Sequence, residues 1–237
     1  KLDVHKNVIT RLGLQFWYVN NNGTLTDKSA GYTQQFVNKA KQYNIDILIT
    51  PYNADTDWNW PFAKSSFTTY RATFVRNLLK LVDQYDAAGI DLDLEGKQDA
   101  EFDYVGRYEY SKFVRILADS LHKRGKILTV DTYPYVWNGP HAKWWQDWIY
   151  VVDAIHVMGY EEIGSGATGW RSYKDRQDKG MEAGYSKSKI FMGLPSYKNS
   201  WLDTISPGVL KSALTHVRGL RDIKAPIAIW DLPQMGS

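Results

Sequence analysis

The sequence predicts an α/β fold in which parallel strands alternate with helices. Apolar runs of strand length alternate with segments of helical periodicity throughout the 237 residues, and this length suits one barrel-sized domain. Strict alternation favours a (β/α)8 barrel over an open doubly wound sheet. No phosphate-binding loop of the G-x-G-x-x-G or Walker type follows any run, which counts against a nucleotide-binding sheet.

Seven apolar runs are predicted as strands. In chain order they are Leu12–Val19, Ile45–Thr50, Ile90–Glu95, Lys126–Thr132, Ala154–Met158, Ile190–Leu194 and Ile227–Trp230. A (β/α)8 barrel has eight strands, so the count is one short. We therefore expect a single compact barrel domain over residues 1–237, trimmed so that it lacks the first strand and the last helix.

Six segments between the runs have helical periodicity. They are about Gly31–Tyr43, Ser66–Tyr85, Tyr108–Lys123, Lys143–Ile149, Tyr173–Ala183 and Pro207–Arg218. A buried stripe is predicted on the second helix, formed by Phe67, Tyr70, Phe74, Leu78 and Leu81. Ser206 before Pro207 is typical of a helix start, and Gly125 is typical of a helix end.

The composition excludes several classes of partner and site. The net charge is +3 with acidic and basic residues interspersed, so we expect neither a nucleic-acid nor a membrane partner. No apolar run is long enough to cross a bilayer. The absence of cysteine excludes disulfides and thiolate metal sites. We expect a monomer.

The most informative segment runs from Gly89 to Gly96 and reads Gly-Ile-Asp-Leu-Asp-Leu-Glu-Gly. At the period of a strand, Asp91, Asp93 and Glu95 share one side, with successive carboxylates roughly 6.6 Å apart, and the apolar residues share the other. Acidic side chains are seldom buried without partners, so a row of three on such a strand is costly. The pattern therefore indicates a catalytic role for these carboxylates.

Three other interpretations of this row of carboxylates have less support in the sequence. A wet edge strand does not fit the flanking helix and loop, which are typical of a buried strand. An EF-hand loop starting at Asp91 would need Glu at its twelfth position, where Phe102 stands. A metal site lacks support because the histidines are scattered along the sequence, at His5, His122, His141, His156 and His216. We therefore predict neither a metal nor a cofactor.

Aromatic residues are abundant, with ten Trp and sixteen Tyr, and many follow the predicted strands. The loops that leave the carboxyl ends of barrel strands build active sites, and flat rings there can stack on sugars. The aromatic residues in these loops are Trp58, Trp60, Tyr133, Tyr135, Trp137, Trp170, Tyr197 and Trp201. By contrast, Trp144, Trp145 and Trp148 lie in a predicted helix and are expected to pack in the core. An aromatic groove beside Glu95 is typical of an oligosaccharide hydrolase.

Four motifs in register resemble the family 18 glycoside hydrolases, which include chitinases and endo-β-N-acetylglucosaminidases. Residues 88–95 match the signature D-G-x-D-x-D-x-E at every position but the first. Residues 157–161 resemble M-x-Y-D, residues 193–197 resemble G-L-P-x-Y, and residues 229–231 resemble the final strand with its tryptophan. On this alignment the first predicted strand is the second of the family.

Three departures from the family pattern predict a divergent member with unusual specificity or reduced activity. Ala88 replaces the first Asp of the signature, and Glu161 replaces the Asp after the tyrosine. The third-strand S-x-G-G is absent, and Thr50-Pro51-Tyr52-Asn53 stands in its place.

The resemblance implies a substrate-assisted mechanism, which also suits two carboxyls too close together to flank a glycosidic bond. Glu95 would protonate the leaving oxygen while the 2-acetamido group of the substrate attacks the anomeric carbon. Asp93 would hold the acetamido N–H, Asp91 would share a proton with Asp93, and Tyr160 would bond the acetamido oxygen. Further substrate-binding candidates are Trp230, Met158, Glu161, Asp131, Tyr133, Trp137, Tyr197 and Trp58. Asp131 is either a sugar ligand or a buried partner of Tyr160, and Met158 and His156 also suit barrel filling.

The predicted function is hydrolysis of β-1,4-linked N-acetylglucosamine, in chitin, chitooligosaccharides or the N-glycan core. The alternative is a non-catalytic chitinase-like lectin or inhibitor on the same barrel, and a metal-held carboxylate triad on an unrelated barrel ranks third. Retention of Glu95, Asp93 and Tyr160 favours the enzyme. We expect a secreted or extracytoplasmic protein, although the chain carries no signal peptide.

Overall fold

The computed structural model describes residues 2–97, 103–134, 139–158, 177–195 and 227–230. Eight strands form one sheet in the order β2-β1-β3-β4-β5-β6-β7-β8. Their bounds are β1 Arg11–Val19, β2 Leu25–Asp27, β3 Asp46–Tyr52, β4 Gly89–Leu92, β5 Ile127–Thr132, β6 Ala154–Val157, β7 Ile190–Pro195 and β8 Ile227–Trp230.

Seven of these strands are parallel neighbours in chain order, and they are the seven that the sequence predicts. The predicted α/β fold of barrel type is confirmed. The short strand β2 was missed; it pairs antiparallel with the end of β1, with Trp17 opposite Asp27. Its three residues are too few to show an alternation of polar and apolar positions. Within the described ranges the sheet is therefore a partial barrel with one added antiparallel strand.

Helices follow most of the strands. Their bounds are α1 Leu2–His5, α2 Thr33–Gln42, α3 Trp60–Phe67, α4 Arg71–Tyr85, α5 Tyr104–His122 and α6 Ala142–Trp145. Residues 177–182 are also helical, within the predicted helix that begins at Tyr173, and the predicted helix at Pro207–Arg218 lies outside the described residues. No helix in the described ranges has the length and apolarity needed to cross a membrane.

The prediction of one helix over Ser66–Tyr85 is wrong, because α3 ends at Phe67 and α4 begins at Arg71. The hydroxyl of Thr68 donates to the carbonyl oxygen of Lys64 (2.6 Å), and such local bonds compete with helix propagation. Tyr70 precedes α4 and is 43% exposed, so it leaves the predicted buried stripe.

Two other helix bounds differ from the prediction. The helix α5 begins four residues earlier than Tyr108, because the carboxylate of Asp103 accepts from the backbone N–H of Gly106 (2.7 Å) and caps the helix. The helix α6 ends at Trp145, before the predicted Ile149, and residues 146–150 form turns. The predicted end at Gly125 is consistent with its φ of +66°, a conformation that favours glycine.

The core between sheet and helices is rich in aromatic rings. Phe74 stacks on Phe113 with ring centroids 5.1 Å apart. The three tryptophans expected to pack, Trp144, Trp145 and Trp148, are fully buried. Trp60 is 8% exposed and belongs to this core, so its placement in an aromatic groove was wrong.

Candidate active site at the carboxyl end of the sheet

The strand β4 fits between its neighbours only because Gly89 has no side chain. A Cβ at this position would lie 2.0 Å from the carbonyl oxygen of Ile127 on β5. Ile90 and Leu92 are fully buried on the apolar side of the strand. The ladder ends at Leu92, three residues before the predicted end at Glu95, and the backbone N–H of Asp93 then donates to the carbonyl oxygen of Pro51 (3.2 Å).

Asn53 takes over where the ladder stops. Its side-chain oxygen accepts from the backbone N–H of Glu95 (2.8 Å), and its side-chain nitrogen donates to the Glu95 carbonyl oxygen (2.8 Å). Asn53 is fully buried, so both bonds are shielded from water. The side chain thus substitutes for a neighbouring strand and fixes the backbone of Glu95. In the sequence, Asn53 stands out only as part of a departure from the family motif.

The glycine after Glu95 is required by packing. A Cβ on Gly96 would lie 2.7 Å from the indole ring of Trp60. Gly96 also pairs with Gly139 through backbone hydrogen bonds in both directions, each 2.8 Å. These contacts hold the turn that follows Glu95 against the core.

The three predicted carboxylates form one buried row. Asp91, Asp93 and Glu95 are 6%, 2% and 4% exposed. The hydroxyl of Tyr133 donates to Glu95 Oε2, so this predicted site residue touches the predicted acid. The side-chain amide of Gln15 on β1 donates to Asp93. Sequence reasoning missed Gln15, whose only signal was its polar side chain within an apolar run.

The buried carboxyls of Asp93 and Glu95 lie close enough to interact, and each affects the pKa of the other. Burial raises the pKa of Asp93 to about 6. Burial and then the charge of Asp93 raise the pKa of Glu95 well above its usual range. The pair therefore keeps a proton near neutral pH, as a general acid must.

The predicted sharing of a proton between Asp91 and Asp93 is not seen. Asp91 Oδ1 accepts from the hydroxyl of Thr129 on β5 (2.5 Å), and Asp91 Oδ2 lies 3.1 Å from His156 Nδ1. Because these partners occupy both oxygens, Asp91 is tied to β5 and β6. Asp93 interacts instead with Glu95 and accepts from Gln15.

His156 has a larger role than barrel filling. Its Nδ1 lies 3.1 Å from Asp131 Oδ1 as well as 3.1 Å from Asp91 Oδ2. Asp131, expected as a sugar ligand or a partner of Tyr160, thus contacts His156. The two carboxylates overcome the effect of burial and raise the pKa of His156 to about 10. Asp131 and His156 are direct partners in the β5–β6 register, and the sequence alone does not reveal that register.

His156 is thus close to the carboxylates in the fold, although the histidines are scattered along the sequence. Ligand atoms of Asp91, Asp131 and His156 lie within 4.8 Å of one another, and this donor set is one that a divalent ion accepts. The same short contacts arise when a protonated imidazole donates to two carboxylates, which the raised pKa of His156 favours.

The remaining predicted site residues are placed as follows. Met158 follows β6, is 6% exposed, and its backbone N–H donates to Thr132 (2.9 Å). Trp58 lies half-buried in the loop after β3, and its backbone forms an isolated antiparallel β-bridge with Ala54. Trp230 ends β8, where its backbone pairs with Pro195. Tyr160, Glu161, Trp137 and Tyr197 lie outside the described residues.

Comparison with known proteins shows one family and one fold. The model of glycosyl hydrolases family 18 matches residues 3–222. No curated protein matches the sequence.

Three similar solved structures come from bacteria. A chitinase from Chromobacterium violaceum is 20% identical with a TM-score of 0.71, over 83% of this chain and 64% of that one. The spore cortex-lytic enzyme SleL from Bacillus megaterium is 15% identical with a TM-score of 0.76, over 98% of this chain and 66% of that one. A chitinase from Bacteroides thetaiotaomicron is 18% identical with a TM-score of 0.73, over 98% and 86%. The chain thus spans less than two thirds of the length of the first two.

Proposed function

The chain belongs to family 18 of the glycosyl hydrolases, and on that basis we propose that it hydrolyses β-1,4 linkages of N-acetylglucosamine with retention of configuration. Chitin-type chains are the favoured substrate class, because two of the similar structures are chitinases and a third is a spore cortex-lytic enzyme. No metal or cofactor takes part in the proposed reaction.

The observation that carries this proposal is the buried pair of neighbouring carboxyls, Asp93 and Glu95, in which burial and the charge of Asp93 raise the pKa of Glu95. A carboxyl that keeps its proton near neutral pH can donate it to a leaving oxygen. A non-catalytic lectin has no need of such a pair, because burying two carboxyls beside each other costs stability and adds nothing to sugar binding.

The first chemical step uses the proton on Glu95. Glu95 donates it to the glycosidic oxygen as that bond breaks, while the 2-acetamido oxygen of the same sugar attacks the anomeric carbon. Loss of the proton leaves Glu95 ionised, and the hydroxyl of Tyr133 then stabilises its carboxylate.

Asp93 acts on the cation formed in this step. Its carboxylate, oriented by Gln15, holds the acetamido N–H and stabilises the positive oxazolinium ring. In the second step Glu95 takes a proton from water, and the water opens the ring from the face that the leaving group occupied. Two inversions at the anomeric carbon give net retention.

The test compares wild type with Glu95→Gln on chitooligosaccharides and on an N-glycoprotein, assayed side by side for new reducing ends. The variant should lose ~10²–10⁴-fold in kcat, the usual contribution of a general acid, while its affinity for the sugar stays similar. Glu182→Gln makes the same chemical change at an exposed position and should retain full activity.

Two outcomes would contradict the proposal. Glu95→Gln within a few-fold of wild type would remove Glu95 as the acid. Sugar binding by the wild type without hydrolysis of either substrate would favour the lectin or inhibitor instead.

A further inference from the structure

Within the described part of the chain, one cationic side chain contacts the buried carboxyls of the sheet. Four carboxyls are buried or nearly so at the end of β4 and on β5: Asp91, Asp93, Glu95 and Asp131. Two of them, Asp91 and Asp131, form ion pairs, and the partner of both is His156. Ionising several neighbouring carboxyls in a poorly solvated space is costly. The position of the His156 cation therefore decides which of these carboxyls carry the negative charge.

The fold fixes His156 in this role. It lies on β6 directly opposite Asp131 in the β5–β6 register, and Thr129, the residue that binds Asp91, lies two positions earlier on β5. On the other side the imidazole packs against the ring of Phe191 on β7, with centroids 5.0 Å apart. Contacts on both sides hold Nδ1 between the two carboxylates.

We propose that His156 is a positioning residue whose imidazolium is held between Asp91 and Asp131. Its positive charge favours negative charge on Asp91, Asp131 and Asp93. Asp93 therefore ionises while Glu95, at the other end of the row, keeps its proton. The kinetic part of this inference rests on the proposed function. The ionisation part does not, because it can be measured on the protein without substrate.

The direction of the effect follows from charge. The positive charge of His156 favours the ionised form of Asp93, whereas the charge of Asp91 opposes it. The groups that face this region are Asp91 on β4 and Glu95 after it, Asp131 on β5 and Tyr133 after it, Gln15 on β1 and Tyr110 on α5. Removing the cation from this set should raise the pH at which Asp93 ionises.

The first experiment measures the charge of His156 directly. The chain has five histidines, so imidazole signals of the 15N-labelled protein can be followed from pH 5 to pH 10, and the signal of His156 is the one lost in His156→Asn. We expect that signal to keep imidazolium chemical shifts at pH 8. Titration of His156 near pH 6.5, the ordinary value for histidine, would overturn the proposal whether or not the protein hydrolyses any sugar.

The second experiment measures the pH dependence of kcat/KM. His156→Asn places an amide nitrogen near the position of Nδ1 but removes the charge, together with the ring that packs against Phe191, so the acid limb of the profile should move up by about one pH unit. At pH 5 this corresponds to about a tenfold loss of kcat/KM, with a much smaller loss at pH 8. Asp131→Asn removes a carboxyl and keeps the cation, so its acid limb should stay in place or move down.

A merely structural role predicts a different pattern. Equal losses at every pH in His156→Asn, with the acid limb unmoved, would overturn the proposal. If His156→Asn does not fold, His156→Gln also removes the charge and serves the same two measurements. A bound divalent ion would overturn it too: treatment with EDTA would then change the imidazole signals of wild type, whereas we expect no change.

Discussion

At the scale of single residues, the site is built on carboxyls that the fold buries at a cost. Burial and proximity raise the pKa values of Asp93 and Glu95, so the second proton of the pair leaves only with difficulty. The row of acidic residues was visible in the sequence because it has the period of a strand. Gln15 and His156 were not recognised, because a polar residue inside an apolar run does not reveal which residue on another strand it meets.

The pH dependence of wild type follows from this pair. The doubly protonated pair lacks the Asp93 carboxylate and the fully ionised pair lacks the acid, so only the form with one proton is active. We expect a bell-shaped profile of kcat/KM whose acid limb lies near pH 6, the pKa of Asp93. Steady-state assays on chitotetraose from pH 4 to pH 9 measure it, and an acid limb near pH 4 would show that Asp93 ionises as an ordinary aspartate.

Asp93→Asn separates stabilisation of the cation from binding. The amide cannot stabilise a positive ring, but it occupies the same volume, so kcat should fall about a hundredfold or more while KM for short oligosaccharides changes little. Kinetics on chitotetraose distinguish the two quantities. A rise in KM with an unchanged kcat would make Asp93 a binding residue only.

At the scale of elements, the sequence predicted the seven parallel strands correctly, because each is an apolar run with a clear end. It failed where side chains override the periodicity. Thr68 bonds back to the helix before it and divides the predicted helix, and Asn53 replaces the ladder beyond Leu92. Such substitutions of side chain for backbone depend on tertiary contacts and leave no periodic signal.

Asn53→Ala tests this replacement. The change leaves the backbone N–H and carbonyl of Glu95 buried without partners, which costs ~2–4 kcal/mol of the free energy of unfolding for two such groups. Activity should fall further than stability alone explains, since Glu95 is no longer held. Urea unfolding and kcat are compared with those of Asn77→Ala, whose side chain donates to Gly23 away from the site. A stable variant with normal kcat would show that the clamp is dispensable.

At the scale of the whole molecule, the barrel concentrates unfavourable charge at one end of its sheet and compensates for it in the core. Aromatic packing around Phe74 and Phe113 and the buried tryptophans stabilise the fold, while the carboxyl row destabilises it near neutral pH. The apolar runs of the sequence predicted the core, and the acidic motif at residues 89–96 predicted the carboxyl row. It did not predict the hydrogen bonds within the site, which join strands far apart in the chain.

The raised pKa values of Asp93 and His156 make the folded protein more stable at lower pH. The pKa of Asp93 is raised to about 6 in the folded protein, so its contribution favours folding below the ordinary value near 3.8 and is lost as the pH rises to 6. The pKa of His156 is raised to about 10, so its contribution is complete below 6.5 and is lost as the pH rises to 10. The melting temperature should therefore fall from pH 5 to pH 9.

Glu95→Gln should melt at a higher temperature than wild type at pH 8, because the unfolded wild-type chain ionises Glu95 freely at that pH, whereas burial opposes its ionisation in the folded protein. At pH 4.5, where the carboxyl of wild type keeps its proton, the difference should shrink. Differential scanning fluorimetry over this range measures both proteins, with Glu182→Gln as the control. An equal or lower melting temperature for Glu95→Gln at pH 8 would mean that Glu95 is not destabilising.

The central claim is that Glu95 is the acid and the acetamido group of the substrate is the nucleophile. The most direct measurement is the anomeric configuration of freshly released product, followed by NMR in the first minutes of hydrolysis of chitotetraose, with cellotetraose, which has no acetamido group, in a parallel tube. We expect the β anomer to form first from chitotetraose and no cleavage of cellotetraose. Initial formation of the α anomer, or cleavage of cellotetraose, would contradict the mechanism even if hydrolysis of chitin were established.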